Sequence, residues 1–224
     1  MLLRRAFAEL LGSAFLAATV VGSGIMATSL TRDTGLQLLE NSTATGAALV
    51  ALILALGPVS AAFNPVVTLV ERALGAVTWR EAGVFVAAQV LGCAGGVVVA
   101  NLMFELPAVD VSGKTRGGHG QLIAEVVATL GLVVVVFGVA RSRRTAVPFA
   151  VGGYIAAAYW FTSSTSFANP AITVGRTLSD TFAGIDPSCA PAFVGMQLIG
   201  GALGYGAVRL LYPDARHIAE EIAS

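Results

Sequence analysis

Apolar positions gather into six long stretches, near residues 6–28, 44–57, 81–104, 120–140, 146–162 and 190–211. Most approach ~20 residues, the length an α-helix needs to cross the hydrocarbon of a bilayer at 1.5 Å per residue. The second and fifth look short, with small polar residues at one end: Ser42, Thr43 and Thr45 in one, Thr162 to Ser166 in the other. Two more runs break the pattern. SAAFNPVVTLVERALG, residues 60–75, and TSFANPAITVGRTLSD, residues 165–180, each carry an Asn-Pro followed by a short helix-like segment. Pro65 and Pro170 cannot continue a helix arriving from before, but suit the first turn of a new one. Asn64 and Asn169 precede them, and Asn is among the best N-cap residues. Each run predicts a helix of about eleven residues, ~16 Å long and so about half a bilayer. A half-length helix must be buried against protein or line a water-filled cavity, because its free backbone groups cannot face lipid.

The chain also repeats itself. Glu9 in FAELLGSAFL matches Glu125 in IAEVVATLGLV, offset by 116; Asn64 matches Asn169, offset by 105; Gln89 matches Gln197, offset by 108. Two halves, about 1–112 and 113–224, therefore each hold three spans and one half-helix within a single domain. Three spans is an odd number, so the second half must enter from the opposite side. The expectation is an inverted repeat whose half-helices meet N-terminus to N-terminus near the midplane. In this topology Arg4, Arg5, Arg72, Arg80, Arg141, Arg143, Arg144, Arg209 and Arg216 fall on one side. Arg32, Lys114, Arg116 and Arg176 fall on the other. The positive-inside rule then puts both termini in the cytoplasm.

Composition agrees with this class. Hydrophobic residues make up 56% and charged residues 12% of 224, with net charge zero; soluble domains carry roughly 25% charged residues. The expected fold is an all-α membrane protein of six transmembrane helices and two re-entrant half-helices. No basic excess points to nucleic acid. The N-terminal run carries Glu9 and is long enough to span, so it reads as the first helix rather than a cleaved signal. Cys93 and Cys189 are expected to be unpaired packing residues. His119 and His217 lie in a loop and the tail without ligand spacing, and neither a metal, a cofactor nor a catalytic constellation is expected. Glu9 and Glu125 admit two readings: a proton relay, or carboxylates that satisfy loose backbone N–H groups leading into each half-helix. Their symmetric placement favours the second.

Two Asn-Pro half-helices, an intramembrane Glu in the first span of each half and a Gln in the third resemble the aquaporin, or major intrinsic protein, family over essentially the whole chain. Asn169-Pro170-Ala171 matches the family signature; Asn64-Pro65-Val66 departs from it by Val66. The resemblance implies a passive pore for small uncharged solutes, with the asparagine amides as donors and helix N-termini that repel cations. It further implies a bacterial-type inner membrane location and a homotetramer in the bilayer. The position three after the second Asn, usually Arg in the family, is Ile172. Spacing places the other filter positions at Thr45, Ala158 and Ser166, with Ala157 or Tyr159 as alternatives to Ala158. Arg176 lies one turn beyond Ile172, either in the outer vestibule or snorkelling to the interface. A filter of Thr45, Ala158, Ser166 and Ile172 suggests passage of glycerol-sized polyols or neutral metalloid hydroxides. The run AAYWFTSSTSFANPAITVGRTLSDTFAGI resembles bacterial members associated with arsenic resistance, which implies arsenite and methylated arsenicals as solutes. A water-selective pore with an atypical filter remains an alternative. A secondary transporter is another, but apart from the two glutamates the spans offer almost no coupling-ion ligands.

Overall fold

The computed structural model describes residues 1–213; Arg216 and His217 lie outside them. The described residues form eight α-helices and two 3-10 turns, with no strand. The helices are α1 (Leu2–Leu30), α2 (Thr34–Leu56), α3 (Pro65–Leu74), α4 (Trp79–Met103), α5 (His119–Ala140), α6 (Val147–Phe161), α7 (Pro170–Gly175) and α8 (Ala190–Leu211). The 3-10 turns are Arg144–Ala146, leading into α6, and Arg176–Leu178, prolonging α7. Five of the helices, α1, α2, α4, α5 and α8, are long and apolar enough to cross a membrane. With its preceding turn, α6 completes a sixth, shorter rod.

Two boundaries differ from the sequence pattern. Helix α2 starts at Thr34, well before residue 44, capped by Asp33, whose side chain accepts from the Leu36 N–H. Its first turns are too polar to register as a span, yet their polar groups are satisfied inside the protein. The Asn41 amide donates to the Val20 carbonyl and the Ser23 hydroxyl, both at 2.8 Å, and Trp160 donates to Ser42. Hydropathy counts such residues against a span, whereas packing against α1 and α6 removes the cost. His119, expected in a loop, opens α5.

The most extensive helix pairings are α1 with α4 and α5 with α8. Glycines allow them: a Cβ on Gly96 would lie 2.0 Å from the Ala14 carbonyl oxygen, and one on Gly200 2.6 Å from that of Val126. One hydrophobic core draws on both halves, from Leu16 and Val20 of α1 to Ile172 of α7 and Val208 of α8. Helices α3 and α7 lie inside this shell, each packed on both α4 and α8.

Candidate functional site

Asn64 and Asn169 cap their helices from extended backbone, as Pro at the next position requires. The Asn64 Oδ1 accepts from the Val66 N–H at 2.9 Å, and the Asn169 Oδ1 from Ala171 at 3.0 Å and Ile172 at 3.3 Å. This turns each acceptor inward and leaves Nδ2 pointing across. The Asn64 Nδ2 donates to the Ala168 carbonyl at 2.7 Å, and the Asn169 Nδ2 to the Phe63 carbonyl at 2.8 Å. The half-helices are thus stitched end to end. An amide nitrogen carries two hydrogens, so each asparagine keeps one donor for the cavity it borders.

The residues before the asparagines are strained: Phe63 has φ 48° and Ala168 φ 47°. Left-handed backbone costs a non-glycine residue roughly 1–2 kcal/mol. Two buried carboxylates hold it. Glu9 accepts from the Ser60 hydroxyl at 2.5 Å, the Ala62 and Phe63 N–H groups at 2.9 and 2.7 Å, and the Gln89 amide at 2.8 Å. Glu125 accepts from the Phe167 and Ala168 N–H groups at 3.0 and 2.9 Å and the Gln197 amide at 2.6 Å. Gln89 and Gln197 donate onward to Thr68 and Thr173 on the half-helices. Neither carboxylate reaches the cavity. These hydrogen bonds tie down the loops that lead into the half-helices.

A single cavity of about 510 Å³ runs past both half-helices. Asn64, Val67 and Glu71 face it from the α3 side, and Asn169, Ile172 and Arg176 from α7 and its 3-10 turn. Residues three, four and seven apart share a helix face, so the same register repeats on both sides. Thr45 and Ser166 also lie on the wall, and the Ser166 hydroxyl is buried without a partner among the described residues. The fifth-span expectation is corrected. Ala158 is fully buried away from the cavity, and the neighbouring Tyr159 borders it, its hydroxyl 3.3 Å from the Thr45 hydroxyl. Adjacent helical positions point about 100° apart, so a one-residue shift replaces a methyl by a phenol. Val66 also turns away from the cavity, against Gly201 of α8, where an added Cβ would meet its Cγ1 at 2.3 Å. The extra bulk at the first motif therefore goes into packing. Pro65, Pro170 and Ala171 are buried and off the wall as well.

The rim beyond Ile172 is cationic. Arg176 is buried, its Nε donating to the Ala183 carbonyl and its guanidinium 3.4 Å from the centre of the Phe167 ring. It therefore faces the cavity and does not snorkel outward. Arg116 stacks on the same ring at 4.9 Å and donates to the Gly184 carbonyl at 2.8 Å. Lys114 donates to the Phe182 carbonyl at 2.7 Å. Burial, then the neighbouring Arg116 and Arg176, push its ammonium down to about 8. Sequence reasoning passed over Glu71, Val67 and Phe167. Counting seven and three from Asn64 finds the first two; no local signal marks Phe167.

Helix ends stitched at mid-protein, beside one cavity threaded through a shell of apolar spans, define a membrane channel scaffold. The comparisons with known proteins agree. Residues 1–165 match the model of the family described as major intrinsic protein, and the chain belongs to that family. It is 48% identical to the aquaglyceroporin AqpS of Rhizobium meliloti, covering 98% of this chain and 95% of that one. Aquaporin NIP1-1 of Zea mays is 28% identical over 97% of this chain and 79% of its own. The X-ray structure of the aquaglyceroporin from Plasmodium falciparum superposes with a TM-score of 0.74 at 17% identity, covering 96% and 99% of the two chains, and shows the shared fold. The protein is an integral membrane channel for water and small solutes, not an enzyme.

Proposed function

We propose that this channel passes uncharged hydroxylated solutes larger than water: glycerol-sized polyols, and neutral metalloid hydroxides such as arsenite and its methylated forms. The observation that carries this reading is Ile172 on the cavity wall, three residues after Asn169, where the family usually has arginine. An aliphatic side chain there leaves room and an apolar surface for a carbon backbone or methyl group. The hydroxyls of Thr45, Tyr159 and Ser166 and the free N–H of each asparagine offer partners in exchange for water. Asn64, Pro65, Val66, Asn169, Pro170 and Ala171 form the central junction of the path. Thr45, Tyr159, Ser166 and Ile172, with Arg176 beyond them, form its filter. The working assembly is a homotetramer in a bacterial inner membrane with both termini cytoplasmic, as the family and the charge asymmetry suggest.

A second reading has its own support. Tyr159 and Arg176 both border the cavity, and together could restrict it to water. Stopped-flow shrink–swell of proteoliposomes separates the two. The first reading expects fast water, glycerol and arsenite flux in the wild type, and a glycerol flux about tenfold lower in Ile172→Arg. Equal glycerol flux in the two proteins, or water flux alone in the wild type, overturns it.

A further inference from the structure

Arg176 is held on the cavity wall by two anchors, and neither is a carboxylate. Its Nε donates to the Ala183 carbonyl, and its guanidinium lies 3.4 Å from the centre of the Phe167 ring. Both anchors lead to a second arginine, Arg116, on the connection between α4 and α5. The Arg116 Nε donates to the Gly184 carbonyl at 2.8 Å and its Nη2 to the Phe182 carbonyl at 3.3 Å, the residues on either side of Ala183. Its Nη1 donates to the Ser164 carbonyl at 3.4 Å, in the loop that carries Phe167, and its guanidinium stacks on the Phe167 ring at 4.9 Å. The connection that bears Arg116 is itself laid along the Arg176 turn. The Asp110 and Ser112 N–H groups donate to the Leu178 and Thr177 carbonyls, and the Asp186 N–H to the Lys114 carbonyl. Arg116 is buried, does not border the cavity and, like Arg176, forms no ion pair among the described residues. A buried charge without a counter-ion must be satisfied by hydrogen bonds, and three carbonyls on two loops do this for Arg116.

We propose that Arg116 is a positioning residue for the pore: by holding both anchors of Arg176, it keeps that side chain against Phe167 and leaves the path beside Ile172 clear for solutes larger than water. The inference rests on the reading of the pore given above. A guanidinium suits the task, because its five donors point in fixed directions from a flat group that also stacks on a ring; an ammonium offers neither property. Without Arg116 the turn around Ala183 loses two donors, the loop before Asn169 loses one, and the Phe167 ring loses one of its two cations. Arg176 is then left with weakened anchors and an open cavity beside it. The same wall offers other acceptors: the Ser166 hydroxyl, buried without a partner among the described residues, and the hydroxyls of Thr45 and Tyr159. A released guanidinium turns toward them, across the face of Ile172. That puts an arginine head group back into the room that Ile172 leaves, and narrows the path toward water alone.

The test measures water and glycerol flux by stopped-flow in proteoliposomes of the wild type, Arg116→Gln, Arg116→Lys, Arg176→Ala and the Arg116→Gln/Arg176→Ala double variant. The expected glycerol-to-water ratio is about threefold lower in Arg116→Gln and in Arg116→Lys, with no effect of Arg116→Gln once Arg176 is alanine. Lysine keeps the charge and loses the fork. A wild-type ratio in Arg116→Lys therefore overturns the proposal in favour of a charge effect alone. An equal fall with and without Arg176 overturns it too, since it means a general loosening of the loops, and so does an unchanged ratio in Arg116→Gln. Where the glutamine variant fails to incorporate, Arg116→Lys and Arg116→Lys/Arg176→Ala carry the same expectation. A wild type that passes water but no glycerol refutes the reading of the pore and this inference with it. A wild type that passes both, with the same ratio in the Arg116 variants, refutes the inference alone.

Discussion

Around Asn64 and around Asn169 the backbone is built alike. Each asparagine caps a helix and donates to the loop before the other, each follows a left-handed residue, and each loop is held by a buried glutamate and a glutamine. What the two sides show the cavity differs. Val67 and Glu71 face it from one side, Ile172 and Arg176 from the other. The buried positions differ too: Val66 packs into the space left by Gly201 on one side, while on the other the signature Ala171 sits against the fold, with Cys93 at the place on α4 equivalent to Gly201 on α8. The skeleton is under the demand of satisfying backbone groups away from water, which admits few solutions. The wall is under no such demand, so its side chains are free to set which solutes pass.

Removing the glutamates should have the largest effect. Glu9→Ala removes four hydrogen bonds, three of them to the loop before Asn64, and Glu125→Ala removes three, two of them to the loop before Asn169. Each orphaned buried donor costs roughly 1–3 kcal/mol. Both variants should lose most of their folded yield in detergent, with Glu9→Ala the worse; thermal unfolding of the purified proteins checks this, and wild-type stability in either refutes the supporting role. Next is Gly201→Ala, which drives a methyl into Val66. It should cost about 1–3 kcal/mol as an overpacked site, and Val66→Ala should restore much of it in the double variant. Additive losses would show that the two positions are not coupled. The smallest change is Tyr159→Ala, which opens the wall beside Thr45 and leaves the half-helices alone. A rise of several-fold in the flux of solutes larger than glycerol, with water little altered, is the expected outcome of stopped-flow measurement. No change would place the narrowest point elsewhere.

The features readable in the sequence share a physical cause. Asn-Pro in an apolar run, Glu9 with Glu125, and Gln89 with Gln197 are residue types that lipid does not tolerate without a structural reason. They stood out by chemistry alone and by their spacing. The start of α2 was hidden by the reverse logic: Asn41 and Ser42 look like loop residues until α1 and Trp160 supply their partners. The filter position on α6 was left open among Ala157, Ala158 and Tyr159, since spacing locates a helix but not its rotation. Glu71 was overlooked because a lone acidic residue near an interface is ordinary, and only the fold puts it on the same wall as Arg176.

By itself the sequence determined the class, the number of spans to within α6, and the two asparagine junctions. Hydropathy, helix capping and the cost of unpaired backbone in lipid act locally and leave a mark on residue type. Tertiary structure alone decided that Tyr159 and not Ala158 borders the path, that Val66 turns into Gly201, and that Arg176 and Glu71 border the same cavity. Those outcomes depend on how helices rotate and dock against each other. A rotation of one residue, about 100° of helix, exchanges wall for core at almost no cost in local propensity.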